Sequence, residues 1–293
     1  LKYFKISWEK FIFYQVRFLL TKVDFSKYMW YFYSSIYGKV SHKKWILRRI
    51  VMTKNIAAFF DIDGTIYRDS LLIEHFKMLL QYEYIDMSSW EKKVKEKFSK
   101  WENRTGDYDD YLDELVRTYM EALKNFSKND MDFIAKRVMV LKGDKVYRYT
   151  RERLLYHQKE NHKVIIISGS PNFLVSKLAK KYGVKDYRAS VYKVDEKGNF
   201  TGEVKPMWDA ESKQKAISYF VKKYNIDLEK SYAYGDTTGD LTMFKNVGHA
   251  IAINPAKKLL EKIKEDENLR EKVKIIVERK DVIYSLNAKV EIL

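Results

Sequence analysis

The chain has 293 residues, a formal charge of +16 and no cysteine, which excludes disulfides, thiolate metal sites and cysteine nucleophiles. That length holds one domain with a sizeable core plus a smaller companion. The basic balance suits anionic partners (phosphorylated metabolites, nucleic acid, an acidic membrane surface) without choosing among them, and no apolar window approaches the ~20 residues of a membrane-spanning helix.

Residues 1–53 stand apart. They hold 15 of the 45 Phe, Trp and Tyr residues, and Lys and Arg far outnumber Glu9 and Asp24. The runs at 11–20 and 28–33 are too short and interrupted to cross a bilayer, and no small-residue cleavage site follows a clean apolar core. The segment reads as a basic, aromatic N-terminal helical extension. Three readings stay open: peripheral contact with a membrane or partner, packing on the rest of the chain, or translated sequence upstream of a natural start at Met52.

Beyond residue 54, Ile56-Ala57-Ala58-Phe59-Phe60 reads as a short buried parallel strand. It runs into Asp61-Ile62-Asp63-Gly64-Thr65, where Gly64 permits a sharp turn and the Thr65 hydroxyl can tie it down. Two carboxylates so placed can divide nucleophilic attack and proton transfer between them; they also suit a solvated Asp-Gly turn. Residues 70–145 show no strand alternation. Leu71, Leu72, His75, Phe76, Leu79 and Leu80, and later Tyr111, Leu112, Leu115, Val116, Tyr119 and Met120, recur at helical steps. Asn103 to Asp107 breaks the pattern and Asn129-Asp130 restarts it, so the insertion reads as a bundle of helices.

A helix over 149–160 leads to an apolar run ending in Ser168-Gly169-Ser170-Pro171. There follow a helix over 171–182, a strand over 187–194, a hairpin around 196–199 and a helix over 212–224 that carries Lys213 near its start. A strand over 231–235 delivers Asp236 and Asp240, and the run at 250–253 completes the predicted core. The alternation predicts an α/β fold, a doubly wound, mainly parallel Rossmann-like sheet with its motifs at carboxyl ends of strands. The expected organisation is an extension (1–53), a catalytic core (54–69 plus 146–293) and a helical cap (70–145).

Asp-x-Asp-x-Thr at 61–65, then Ser168, Lys213, and Gly235-Asp236 with Asp240 four residues on, is an ordered set similar to the motifs of the haloacid dehalogenase superfamily of phosphohydrolases. The helical insertion after the first motif resembles the cap of its phosphoserine-phosphatase-like branch. The resemblance implies Asp61 as nucleophile, forming an aspartyl-phosphate, and Asp63 as the acid that protonates the leaving oxygen. It also implies a metal held by Asp61, the Asp63 carbonyl and Asp236; an all-oxygen set favours Mg²⁺. Thr65, Ser168 and the Gly169 and Ser170 amides would receive the phosphoryl oxygens, Lys213 would neutralise their charge, and Asp240 would support Lys213 or the metal shell. Lys215 would face away. An acid at 63 separates this chain from dehalogenases, which lack one there.

The expectation is a cytoplasmic Mg²⁺-dependent phosphomonoesterase of a small phosphorylated metabolite. Its alternatives are a phosphotransferase or mutase with the same intermediate, or a membrane-surface phosphatase of a lipid headgroup guided by residues 1–53. No recognisable module supports nucleic-acid binding. Phosphoserine phosphatase has a substrate-binding Glu nine residues after its nucleophile. Here that position is Ser70, with Glu74 a helical turn later, so phosphoserine is not the expected substrate. Tyr67, Arg68, Asp69 and Arg104 are candidates for selecting one, and Trp208 for either the entrance or packing.

Overall fold

A computed structural model describes residues 54–291 except Asn125; the expected N-terminal extension lies outside the described residues. Strand β1 (Ala57–Phe60) sits at the centre of an eight-stranded sheet. On one side it pairs in parallel with β2 (Lys163–Pro171) and then β3 (Asp186–Val194). On the other it pairs in parallel with β5 (Tyr232–Gly235), followed by β6 (His249–Ile253) and β7 (Val273–Arg279). The two edges, β4 (Phe200–Lys205) beside β3 and β8 (Val282–Asn287) beside β7, are antiparallel. This is the doubly wound, mainly parallel sheet the alternation predicts.

Strand periodicity sorts the core. Ala58 and Phe60 join Ile166, Tyr234 and Ile251 in one apolar cluster, while Ala57 and Phe59 join Ile165, Ile167 and Ala233 in another. Successive side chains of a strand point to opposite faces, so both faces of the sheet are buried, as an apolar parallel strand requires. Helix α8 (Ala210–Tyr224) covers one face with Ala216, Ile217 and Phe220. The other face receives α6 (Arg148–Lys159) and α7 (Asn172–Lys181) through Leu154, Leu174 and Leu178.

Between β1 and β2 the chain is helical, as its periodicity indicates. Helix α1 (Leu71–Gln81) starts at Ser70, whose side chain accepts from the Ile73 N–H. Short α2 (Met87–Ser89) passes through a π-helical turn (Trp90–Val94) into α3 (Lys95–Glu102). Helices α4 (Tyr108–Leu123) and α5 (Lys128–Lys142) complete the insertion, the latter capped by Ser127. Phe76, Tyr111, Leu115, Tyr119 and Val138 are buried in the same cluster as Ala58, Phe60 and Ile166 on one face of the sheet.

Two readings need correction. The core does not close at residue 253: α9 (Leu241–Asn246) precedes β6, and α10 (Lys257–Glu265), α11 (Glu267–Lys272) and the β7–β8 hairpin follow it. Val273-Lys274-Ile275-Ile276-Val277, four of its five residues β-branched, carries the strand signal for β7. Nor does Ser168 end its strand. The β2–β3 ladder pairs Ser168 with Ala189 and Pro171 with Ser190, leaving Gly169 and Ser170 bulged between them. Among the described residues no helix is long and apolar enough to cross a membrane.

Candidate active site

The carboxyl ends of β1, β2 and β5 meet at one point, where the order of strands reverses; open α/β sheets bind ligands at such a point. A cavity of about 780 Å³ opens there. Asp61 is the first residue past β1, and its N–H donates to the Tyr234 carbonyl at 3.0 Å, extending the β1–β5 pairing by one step. The chain then turns tightly, with the Ile62 carbonyl accepting from the N–H groups of Thr65, Ile66 and Tyr67. Gly64 makes this turn possible twice over. Its φ is +72°, and a Cβ there would lie 1.9 Å from Asp236 Oδ2, so only glycine combines the left-handed backbone with that close approach.

Each acid is held by its own partners. Asp63 Oδ1 accepts from the Leu71 N–H at 2.6 Å, at the first turn of α1, and Oδ2 accepts from the Ser170 hydroxyl at 2.5 Å. Burial lifts its pKa to about 6, against the lowering effect of those two hydrogen bonds. Asp240 is fully buried. Its Oδ2 accepts from the N–H groups of Asp236 and Thr237 at 3.0 and 3.1 Å, closing a capping box, while Oδ1 accepts from Lys213 Nζ at 2.6 Å. Asp236 follows β5 and accepts from the Thr65 hydroxyl at 3.0 Å.

Lys213 reaches the site from the first turn of α8, where the Asp209 carboxylate caps the Ser212 N–H. Only 3% of Lys213 is exposed, and its ammonium also lies 3.3 Å from Asp61 Oδ1. Burial alone would lower its pKa, but Asp240 and Asp61 more than offset that and raise it. Lys215, two residues on, is exposed and pairs with Glu211.

Carboxylate oxygens of Asp61, Asp236 and Asp240 lie within 4.8 Å of one another. Two buried acids and the half-buried Asp236, set against a single lysine, carry an excess of two negative charges when all are ionised. Burial accordingly drives the pKa of Asp61 up, partly opposed by Lys213, and raises Asp236 well above the carboxylate range, with Asp240 and Asp61 adding to the effect. An all-oxygen donor set with that excess fits a divalent cation. Both oxygens of Asp240 are already engaged by Lys213 and backbone N–H groups, so Asp61 and Asp236 are the carboxylates left to face an ion.

The structure brings Asp61, Asp63, Gly169, Ser170, Lys213 and Asp236 together on the cavity surface. It places Thr65 and Ser168 behind that surface: both are fully buried and neither lines the cavity. Thr65 orients Asp236, and the Ser168 hydroxyl accepts the Ser170 N–H at 3.2 Å. That N–H is therefore engaged within the loop. Of the candidates for selecting a substrate, Arg68 and Asp69 line the cavity, whereas Tyr67 and Arg104 do not; Trp208 and Ser70 line it as well. Glu74 is buried and held by Lys145 at 3.1 Å.

What sequence reasoning missed is the opposite wall. Tyr108, Leu112, Val116 and Met120 stand four residues apart along α4 and line the cavity together with Trp101 from α3. A single helix here carries two stripes. Tyr111, Leu115 and Tyr119 are buried in the core, and the neighbouring stripe is half-buried over the cavity. The signal was an apolar arc wider than one packing contact requires.

The chain matches the haloacid dehalogenase-like hydrolase family over residues 58–245. It is 26% identical over 205 residues to the inhibition of morphological differentiation protein of Streptomyces azureus, covering 69% of this chain and 73% of that one. It is 24% identical over 213 residues to a phosphoserine phosphatase of Methanocaldococcus jannaschii, covering 72% of this chain and 93% of the other. Among solved structures, a phosphoaspartyl intermediate analogue of phosphoserine phosphatase superposes with a TM-score of 0.52 at 21% identity, over 78% of this chain and 96% of that one. A likeness at that identity speaks for the fold.

Proposed function

Because the chain belongs to the haloacid dehalogenase-like hydrolases, we propose that it is a Mg²⁺-dependent phosphomonoesterase working through an aspartyl-phosphate on Asp61. The observation that carries this reading is the division of labour between the two acids of the first loop. Asp61 faces Lys213 and Asp236, whereas Asp63 is held by Ser170 and the Leu71 N–H and faces neither. The fold and the phosphatases among its relatives support the same reaction class.

Two carboxylates and a phosphate ester repel one another, so the reaction needs positive charge at the point of attack. When bound, Mg²⁺ at Asp61, Asp236 and the Asp63 carbonyl supplies it, neutralising and orienting the phosphoryl oxygens. An Asp61 oxygen then attacks phosphorus as the bond to the leaving oxygen breaks. Asp63, whose pKa near 6 leaves it protonated in part at neutral pH, donates its proton to that oxygen. In the second half, a water attacks phosphorus, Asp63 takes the water's proton, and Asp61 is released with inorganic phosphate. Lys213 keeps Asp61 in place through both steps and offers its remaining hydrogen to a phosphoryl oxygen as charge grows there. Asp240 positions Lys213 and touches no substrate.

The test is to quench turnover of an aryl phosphate rapidly in acid and seek a phosphoryl adduct on the peptide containing Asp61. The expected result is an adduct that requires Mg²⁺ and vanishes with chelator. Metal-dependent turnover that leaves no adduct on Asp61, and survives Asp61→Asn, overturns the assignment.

A further inference from the structure

The catalytic acids occupy only the floor of the cavity, and its upper wall is built of different material. Leu72 from α1, Trp101 from α3, and Tyr108, Leu112, Val116 and Met120 from α4 face the same space. The four α4 residues are half-buried rather than sealed into the core. An apolar stripe left open to water in a concavity costs free energy unless a ligand covers it, at roughly 25 cal/mol per Å². Isolated exposed apolar residues are ordinary; a set converging on one pocket above reactive groups marks a binding surface.

The charges on this wall point the same way. Arg68, Asp69, Asp113 and Arg117 line the cavity above the floor, two of each sign, so the wall as a whole is neutral. Asp69 is taken up by Lys145 at 3.0 Å and by the Ser70 N–H at 3.0 Å. Arg117 pairs with Glu114 at 3.4 Å, and the Arg68 guanidinium lies over the Tyr147 ring at 5.8 Å. A leaving group bearing an ammonium and a carboxylate, as an amino acid does, would find Asp69 and Arg117 already paired, which leaves only Arg68 and Asp113 of the four to receive it. Ser70, at the mouth of α1, offers a hydroxyl where an acid would serve that purpose, and Glu74 is held by Lys145. At about 780 Å³ the space also lies high in the ~300–1,000 Å³ range of pockets that enclose drug-sized ligands.

We infer that the substrate is a phosphomonoester whose leaving group is uncharged and largely apolar, an alkyl or aryl body packed against Leu112, Val116 and Met120 while the phosphate meets Asp61 and Lys213. This rests on the phosphomonoesterase reading for the reaction but not for the binding. Hydrolysis is unchanged in its balance: the leaving oxygen takes the Asp63 proton and departs as a neutral alcohol or phenol.

The test uses the full chain with Mg²⁺ and a homologous series of ethyl, butyl and hexyl phosphates, set against phosphoserine and glycerol phosphate. In parallel, binding of the matching alkyl phosphonates, which cannot be hydrolysed, is followed by calorimetry. Burial of a methylene is worth up to about fourfold, so kcat/KM and phosphonate affinity are both expected to climb severalfold per two-carbon step. Hexyl phosphate is expected to exceed phosphoserine by at least tenfold. Val116→Asn and, separately, Leu112→Gln are expected to flatten the dependence on chain length; both side chains are only half-buried, and circular dichroism checks that each variant folds. A flat series, or a preference for phosphoserine, overturns the inference while leaving the phosphatase reading standing. Length-dependent phosphonate binding without hydrolysis of any ester supports the inference and sinks the reaction instead. Neither hydrolysis nor length-dependent binding defeats both.

Discussion

The floor and the wall of the cavity are made by opposite means. On the floor, three strand-end loops deliver short side chains whose positions are set by backbone: Asp61 by its bond to Tyr234, Asp63 by the Leu71 N–H, and Asp240 by the N–H groups of Asp236 and Thr237. Few rotatable bonds separate each carboxylate from a fixed strand, and each has an assigned donor. The wall is a stripe of long apolar side chains on one helix, placed by how α4 packs on its other side. Chemistry demands sub-ångström placement and obtains it from the rigid sheet. Shape recognition tolerates more and is left to helices that can be rebuilt without disturbing the acids.

If that division is right, damage to the floor should abolish turnover without unfolding the protein. Asp61→Asn removes one charge from an overcrowded acidic cluster but leaves Lys213 paired with Asp240. The expected outcome is a loss of kcat on the order of 10³-fold or more, with a thermal midpoint unchanged or raised. A lowered midpoint would mean that Asp61 holds the fold together and would blur the distinction. Lys213→Met should come next. It strips the countercharge from Asp61 and Asp240, both nearly or fully buried, and breaking a buried pair from one side costs about 3–5 kcal/mol. Here activity should fall roughly 10²-fold or more together with stability, measured by urea unfolding. Substitution of exposed Lys215 should change neither.

The wall has its own weak point, which lies in acid. His75 is fully buried and joins three of the helices in the insertion: from α1 its Nδ1 faces the Tyr119 hydroxyl of α4 at 2.9 Å, and its Nε2 faces the Met131 carbonyl of α5 at 3.3 Å. A carbonyl can only accept, so Nε2 carries the hydrogen and Nδ1 accepts from Tyr119. Burial pushes the His75 pKa down to about 4, and Lys177 adds to the effect. In the unfolded chain the same group titrates near ~6.5. Between these values the unfolded state binds more protons, so stability falls as pH drops through 6.5 and the loss levels off below 4. From pH 7 to 5 the contribution is on the order of 2 kcal/mol. Urea unfolding at both values should show that extra loss in the parent and not in His75→Gln; equal losses in both would remove His75 from the account.

The same contrast explains what could be read in the chain beforehand. The floor was legible because strand-end chemistry leaves short, local patterns: two acids two residues apart, a glycine at the turn, an acid four residues after Asp236. The inward stripes of α1 and α4 were legible from their i, i+3, i+4 spacing. The wall was not, because Leu112, Val116 and Met120 are as apolar as their buried neighbours, and only the packing decides which of two adjacent stripes is left uncovered. The bulge at Gly169-Ser170 was hidden for a related reason, since it depends on the register between β2 and β3. The β7–β8 hairpin is a different matter: the apolar run at 273–277 is a plain strand signal, but a doubly wound sheet is already complete at β6, so nothing in the motif pattern requires a further pair of strands.

Thr65 sits on the boundary between the two kinds of placement, and the mildest perturbation bears on it. The motif resemblance put its hydroxyl among the groups that receive phosphate, whereas the structure seals it behind the loop with its hydrogen on Asp236 Oδ1. Thr65→Val keeps the shape and the buried methyl and removes only that donor. A hydroxyl that touches substrate would make its loss felt in KM for every ester, at any metal concentration. One that only aims Asp236 would weaken metal binding by about tenfold, the lower end of what such supporting groups contribute, and saturating Mg²⁺ would restore kcat. Metal titrations of activity at fixed substrate, with manganese affinity followed separately by electron paramagnetic resonance, distinguish the two. The expected outcome is a rightward shift of the metal curve with its plateau intact, because the Thr65 side chain reaches the substrate only through the carboxylate it holds.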